Sequence, residues 1–521
     1  MSTSRNSRVA RAAIIVMAGF LASKVAGLVR QLVIARVFGA TGALDAYFAA
    51  FTAPDIIFTL ISGGALATAF IPVFSDYTNS EEPSAKEAAW RMASNILTVT
   101  FALSTVVSLL TALLAPWLVA EIIAPGFSPE QQIITVDLMR LALISTIIFS
   151  ISGLVGGVLY TLQHFLLPAF AGFFYNVGII LCALFLVPRM PEGQGVYALV
   201  IGSIIGALLH LAIQLPAVWH FRIRLRPLFD LSDPGLRQVA VLMGPRALAL
   251  GLINAKLIIK SNLASRLDPG SLSALDYAWD LMQLPETIFA TAVATAVFPT
   301  LAELAARKAH HELATTFNQT IRTILALTVP AAVGLLVLGS PIVRTFYEGG
   351  NFSSGASEAV SYALSFFAFG IVGHGLLEVV ARLFYAQKDT LRPLYAAIIM
   401  LFATGSISWL LLEPLGIGGI ALGDTLGVFV EVGVLLWWLR ALLPEANDAP
   451  TLRAAAKIAL ASTAMAVVLF LWLQLTSGNH IILVAGGGIL LGAATYGATA
   501  LLLGLEEVKL VPRLVLRRGA A

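Results

Sequence analysis

Fourteen apolar tracts recur along this chain of 521 residues, near 10–36, 43–72, 91–119, 136–162, 167–187, 196–219, 238–265, 273–301, 320–344, 358–386, 392–412, 416–440, 454–474 and 481–503. A bilayer core of about 30 Å is crossed by roughly 20 helical residues, and each tract is of that order. In hydrocarbon every backbone N–H and C=O must find its partner inside the protein, which a helix does within one segment. Charged residues make up only 12% of the chain, against about 25% in soluble domains, and the mean hydropathy is +0.89. The expected fold is therefore an all-α polytopic membrane protein of about 14 transmembrane helices.

The basic residues say which way the spans run. Arg5, Arg8 and Arg11 precede span 1; Lys86 and Arg91 follow span 2; Arg222, Arg224, Arg226 and Arg237 follow span 6. Arg307, Lys308 and Arg322 follow span 8, Lys388 and Arg392 span 10, and Arg440, Arg453 and Lys457 span 12, with Lys509, Arg513, Arg517 and Arg518 in the tail. The alternate loops hold only Arg36, Arg189, Arg266 and Arg344, so the division is 21 against 4. Basic loops stay on the cytoplasmic side. Both termini are expected there, with 187–195 and 345–357 facing outward. The amino terminus starts like a signal peptide, but its apolar stretch runs on too long and reads as a retained first span.

Two stretches 231 residues apart share a pattern: Ala43-Leu44-Asp45 with Pro54-Asp55-Ile56-Ile57-Phe58, and Ala274-Leu275-Asp276 with Pro285-Glu286-Thr287-Ile288-Phe289. Gly39 and Gly270 match at the same offset. An internal duplication is expected, and repeated membrane bundles that rock about a shared site are a common transporter design. The division is then a six-helix lobe over 1–220, a second over 221–445, and two further helices with a tail over 446–521.

Seven of the 32 basic residues fall within spans: Lys24, Arg30, Arg140, Arg246, Lys256, Lys260 and Arg382. A charge at a helix centre costs roughly 2.5 to 3.5 kcal/mol on insertion scales, so such residues face a partner or a wet cavity. At 100° per residue Arg246, Lys256 and Lys260 lie within about 80° along about 21 Å of span 7, forming one cationic stripe. Span 8 answers with Asp276 and Asp280, and Asp280 is expected to pair with a span 7 cation. Lys24 and Arg30 are about 120° apart on a straight helix and share a cavity only if span 1 bends, with Gly27 the place for it. Asp424 and Glu431 share a face of span 12 beside Thr425, a set suited to pairing or to a coupling Na+ or H+. Glu378 and Arg382, at i and i+4, read as an intrahelical pair.

Other chemistry has little support. The seven histidines show no metal-ligand spacing with acids, Cys182 alone offers neither a disulfide nor a thiolate site, and no GxxxxGK[ST] motif is present to cradle ATP. No enzyme activity, organic cofactor or nucleic-acid partner is expected, and no metal site is assigned.

The landmarks Ser23-Lys24-Val25-Ala26-Gly27-Leu28-Val29-Arg30, Ala35-Arg36-Val37-Phe38-Gly39-Ala40, Asp45-Ala46-Tyr47-Phe48 and Ala69-Phe70-Ile71-Pro72 have a familiar order. So do Ala124-Pro125-Gly126-Phe127, Pro168-Ala169-Phe170, Asn176, Met243-Gly244-Pro245, Phe298-Pro299 and Arg382-Leu383-Phe384-Tyr385-Ala386 with Asp389 and Pro393. The sequence resembles the MurJ (MviN) family of lipid II flippases, in the superfamily that also holds MATE multidrug exporters and polysaccharide flippases. The resemblance implies two six-helix lobes plus two carboxy-terminal helices in a bacterial plasma membrane. It implies transfer of the lipid-linked peptidoglycan precursor to the outer leaflet by alternating access, with the membrane potential as a driving term. Lys24 and Arg30 match the family's basic positions on its first helix, and the nearly uncharged spans 13 and 14 suit its groove for the polyprenyl tail. Lipid II and membrane lipids are the implied partners.

The chain departs from the family pattern in places. Phe58, Thr59 and Gly63 stand where Arg and Glu are common, Trp279-Asp280 where Asp-Arg is usual, and Gln31 where an acid is common. Lys256 and Lys260 are expected to supply the relocated positive charge, giving Lys24, Arg30, Lys256 and Lys260 as the diphosphate-binding set. The rival readings are a flippase for another polyprenyl-diphosphate glycan and a MATE-like cation-coupled exporter, which would favour acids such as Asp280, Asp424 and Glu431.

Overall fold

The computed structural model describes residues 2–62, 64–78, 82–221, 223, 225–442, 449–476 and 478–507. Gly63, Arg222, Arg224, Lys509, Arg513, Arg517 and Arg518 lie outside them, as do the side chains of Arg5, Arg8 and Arg11. The described residues are helical and contain no strand. The chain divides into two compact units, Met1–Leu272 and Ser273–Ala521. This is a division by packing; the boundary at 220 expected above is a division by repeat.

The first unit holds α1 (Ser2–Phe38), α2 (Gly42–Ile57), α3 (Gly64–Thr78), α4 (Pro83–Trp117), α5 (Pro129–Thr161), α6 (Leu166–Leu181), α7 (Gly195–Ala212), the short α8 (Leu215–His220) and α9 (Pro234–Ala264). The second holds α10 (Ser271–Pro285), whose first turn precedes the boundary, α11 (Ala292–Ala306), α12 (His310–Phe346), α13 (Ser354–Ala386), α14 (Leu391–Leu415), α15 (Ile417–Leu442), α16 (Ala449–Leu475) and α17 (Ile481–Leu502). Among the described residues thirteen helices are long and apolar enough to cross a membrane. The expected seventh span is α9, which is not among the thirteen and carries Arg246, Lys256 and Lys260. Its 31 residues still reach about 46 Å. Leu113, Leu410 and Leu502 are 75%, 75% and 87% exposed, as suits helices whose solvent is lipid.

The duplicated motif folds the same way twice. Pro54 and Pro285 each lie near the end of an α-helix, and each is followed by a π-helical segment, Phe58–Ser62 and Glu286–Thr291. Proline withholds one N–H from the ladder, and a wider i→i+5 turn is one way a helix absorbs such a fault. Gly39 and Gly270, one before each motif, both have left-handed φ, 66° and 98°.

Two further prolines explain polar contacts between helices. Pro330 cannot donate to the carbonyl of Ala326 four residues back, and the Tyr496 hydroxyl donates to it instead at 2.7 Å. Pro116 similarly leaves the Ala112 carbonyl open, and Arg140 Nε donates to it at 3.1 Å. The intramembrane Arg140 thus has a structural use. Arg382 bonds Glu378 on its own helix, as their i, i+4 spacing indicated.

The segment between α8 and α9 is laid along α4. Ser94 Oγ accepts the Arg226 N–H at 3.1 Å, Thr98 Oγ1 that of Leu228 at 3.1 Å, and Asn95 Oδ1 that of Asp230 at 2.9 Å. Asn95 Nδ2 donates back to the Asp230 carbonyl at 2.6 Å, and Arg91 pairs with the Asp230 carboxylate at 3.2 Å. The far end of α9 is tied down as well. Asn262 donates to the Ile122 carbonyl at 2.7 Å, Gly126 N–H donates to Ser265 Oγ at 3.1 Å, and Gly270 N–H donates to the buried Asp45 carboxylate at 2.6 Å. A side chain at Gly270 would stand 2.6 Å from the Ala40 carbonyl oxygen.

Candidate functional site

In the first unit the polar centre forms where α1, α2, α5, α6 and α7 meet. A cavity of about 260 Å³ is lined by Phe51, Pro54, Asp55, Phe58, Ser145, Thr146, Phe149, Gly172, Tyr175 and His210. The half-buried Arg30 and the exposed Asp55 both act electrostatically on the Tyr47 and Tyr175 hydroxyls, which places the four groups in one neighbourhood. His210 Nδ1 shares a proton with Ser152 Oγ at 2.6 Å, and Gln214 Nε2 donates to the same oxygen at 2.8 Å. Phe149 packs edge-on against both Tyr175 and His210. The result is an aromatic-walled polar chamber with a guanidinium nearby, and a guanidinium fork is shaped for bidentate contact with an anionic oxygen pair.

Helix α6 is held to α1 here by Asn176, whose amide donates to the Gly172 carbonyl at 2.9 Å and the Ser23 carbonyl at 3.4 Å. On its other side α6 meets α7 at Gly178 and Gly206. A side chain at Gly178 would lie 2.6 Å from the Gly206 backbone, so the contact admits only glycine, as is common where membrane helices approach closely.

The remaining expected residues fall in several places. Lys24 is exposed on α1, which runs helical through Gly27 without a break, so Lys24 and Arg30 stay on different faces. Lys256 and Lys260 are half-buried on α9. In the second unit Asp276 and Asp280 are half-buried on α10, and Asp280 acts on the Tyr347 hydroxyl. Asp424, Thr425 and Glu431 are buried on α15. Thr425 donates its hydroxyl to the Phe366 carbonyl at 3.0 Å, while Asp424 meets His374 of α13 at 3.4 Å. Sequence spacing offered no sign of His374, because its acid lies fifty residues on. Trp279, one of the departures from the family pattern, packs edge-on against His374 and Phe367.

The second unit also contains a groove of about 530 Å³ between Pro285 and Phe289, α12, and the last two helices. Leu327, Leu335, Leu338, Met465, Leu469 and Ile489 form walls, and Gly334, Gly488, Gly492 and Gly497 leave room between them. Its few polar groups are mostly engaged: Tyr496 on the Ala326 carbonyl, and Glu507 with Arg322 at 2.8 Å. An apolar slot of this kind takes a hydrocarbon chain, since it offers such a chain no polar cost and a polar guest no partners.

The sequence profile described as "Lipid II flippase MurJ" matches residues 34–485. A curated relative, the lipid II flippase MurJ of Burkholderia cenocepacia, is 31% identical over 435 residues, covering 82% of this chain and 83% of the relative. Among solved structures, a lipid II flippase MurJ in an inward closed conformation superposes with a TM-score of 0.78 at 24% identity, covering 94% of this chain and 98% of its own. An inward-facing MATE-family multidrug resistance transporter of the MOP superfamily superposes at 0.68 with 14% identity over 83% of this chain and 98% of its own. These two show a shared fold. With the family profile covering most of its length, this chain belongs to the lipid II flippase MurJ family.

Proposed function

We propose that this chain moves lipid II from the cytoplasmic to the outer leaflet of a bacterial inner membrane by alternating access, with both termini cytoplasmic. The observation that carries the reading is the apolar groove that the two added helices, α16 and α17, form with α12 and the Pro285–Phe289 segment. A polyprenyl tail gains little by leaving lipid for such a groove, because lipid is as apolar as leucine. The groove's use is to hold the tail in register while the headgroup crosses. Affinity then rests with the diphosphate, and the basic residues Arg30, Lys256 and Lys260 of the first unit are its ligands, while Lys24 stands on another face of the unbroken α1. Charge-assisted hydrogen bonds of this type are the strong ones. Outward movement of an anion down a negative-inside potential contributes about 2.3 kcal/mol per charge at 100 mV.

Gly334 and Gly497 line the groove, and a Cβ at either would meet no other group within 4 Å. Gly334→Phe and Gly497→Phe therefore fill the groove without a clash at the backbone. Both proteins should fold and reach the membrane while lipid II export slows strongly. The Lys256→Ala/Lys260→Ala double variant should fail through weakened headgroup binding. Export at the parental rate by both phenylalanine proteins would remove the groove from the account.

A further inference from the structure

One ionisable pair, a half-buried histidine on a buried acid, has no part in the transport reading. His374 of α13 and Asp424 of α15 meet through Nε2 and Oδ2 at 3.4 Å, and Asp424 is only 7% exposed. The Trp279 ring stands edge-on to the imidazole, centroids 5.3 Å apart and planes at 85°. Glu286, in the π-helical segment, acts electrostatically on the same neighbourhood and accepts the hydroxyls of Thr291 at 3.0 Å and Thr287 at 3.3 Å. Thr425, beside Asp424, has its hydroxyl committed to the Phe366 carbonyl. Among the described residues no group of three or more His, Cys, Asp or Glu is arranged to hold a metal ion.

These features suit a proton better than a metal ion. The Nε2–Oδ2 contact uses one proton, which an imidazole supplies as a donor to a carboxylate. Nδ1 then keeps its lone pair for a second. We propose that His374 and Asp424 form a proton-binding dyad whose net charge changes from −1 to 0 when Nδ1 takes a proton from water, with one N–H bond made and none in the protein broken. The two partners sit on different helices, and Trp279 brings in a third. Loading the site therefore alters the electrostatics where α10, α13 and α15 meet.

Other charges lie on several elements of the second unit. Glu431 on α15 acts on Tyr385, Asp280 on α10 acts on Tyr347, and Glu378 and Arg382 on α13 bond each other. On α12 Arg322 pairs with Glu507 and Arg344 with Glu348. On α11 Glu303 pairs with Arg307, and on α14 Arg392 pairs with Asp389.

The proposal goes beyond lipid transport, and its test needs no lipid substrate. An imidazolium quenches a neighbouring indole much more strongly than a neutral imidazole does. The full-length protein in detergent is titrated from about pH 8 to 5, the range where histidines change charge. With eight tryptophans in the chain, full quenching of Trp279 removes up to about one-eighth of the emission. The expected result is a reversible fall on acidification that His374→Gln and Trp279→Phe each abolish. Asp424→Asn should change the profile, because the imidazole loses its carboxylate partner. A fall of equal size in His374→Gln overturns the proposal. Should His374→Gln fail to fold, the parental minus Trp279→Phe difference decides the matter: it must titrate, and a flat difference overturns the dyad. Failure of lipid II export would leave either optical outcome unchanged, so the two readings fail separately.

Discussion

Asp45→Ala should loosen the first unit, because it removes a buried tie between distant parts of the chain. The Asp45 carboxylate is 1% exposed and accepts the Gly270 N–H at 2.6 Å across 225 residues of chain. Truncation leaves a donor without its acceptor, at a cost of about 1 to 3 kcal/mol. For a unit of this size that corresponds to a fall in melting temperature on the order of 5 °C. Asp45→Asn keeps an amide oxygen in place and should lose less than half as much. Gly270→Ala attacks the same tie from the other side, because its φ of 98° suits glycine and its new Cβ would lie 2.6 Å from the Ala40 carbonyl oxygen. That cost is also about 1 to 3 kcal/mol. Once either change has broken the tie, the second has less to remove, so the double variant should melt above the temperature obtained by adding the two losses. Thermal melts in detergent, read as the folded fraction eluting after heating, measure all four proteins. An Asp45→Ala protein that melts with the parent, together with strict additivity in the double variant, would refute the reasoning.

Three more outcomes follow from the same contacts. Tyr496→Phe strips the Ala326 carbonyl of the donor that Pro330 cannot supply and should cost about 1 to 3 kcal/mol; an unchanged melt would mean that carbonyl has another partner. Arg140→Met should destabilise by a similar amount, and Pro116→Ala, which restores an N–H toward the Ala112 carbonyl, should reduce that loss; equal losses with and without Pro116 would separate Arg140 from the proline. Hydrogen bonds from Ser232 and the Arg91 guanidinium hold the half-buried Asp230 carboxyl below its usual range. A depressed acid stabilises above its ordinary pKa near 4 and loses that effect as pH falls through its folded value. After correction for intrinsic exchange, protection of the Arg226, Leu228 and Asp230 amides should hold steady above about pH 5 and fall in acid; protection that rises on acidification would contradict this.

Much of the architecture was legible because membrane insertion is decided locally. Length and apolarity mark a span without reference to its neighbours, and the offset of 231 residues between Pro54 and Pro285 marked two segments that fold alike, each with a π-helical turn. Other features depend on what the fold brings together. Pro330 predicts an orphaned carbonyl at Ala326, but that the remedy is Tyr496, 170 residues later, is a fact of packing. Arg140 read as a charge in need of a partner or a cavity, and which partner it takes, a backbone carbonyl of another helix, is again a fact of packing. Lys24 and Arg30 could share a cavity only if span 1 bent, with Gly27 the place for it, and α1 is helical through Gly27. Asp424 and Thr425 were adjacent candidates for an ion, and the structure separates them: Thr425 turns to a backbone carbonyl and Asp424 to His374. Trp279 looked like the loss of a family charge until its ring was seen against that histidine.

The central claim is tested most directly in a bacterium depleted of its own flippase and expressing this chain, with lipid II labelled from the outer surface. Surface lipid II should return to the undepleted level with the parental protein. It should stay at the depleted level with Arg30→Ala and reach an intermediate level with Arg30→Lys, which keeps the charge but not the fork. Lipid II confined to the inner leaflet while the parental protein is full-length and abundant in the membrane would contradict the account.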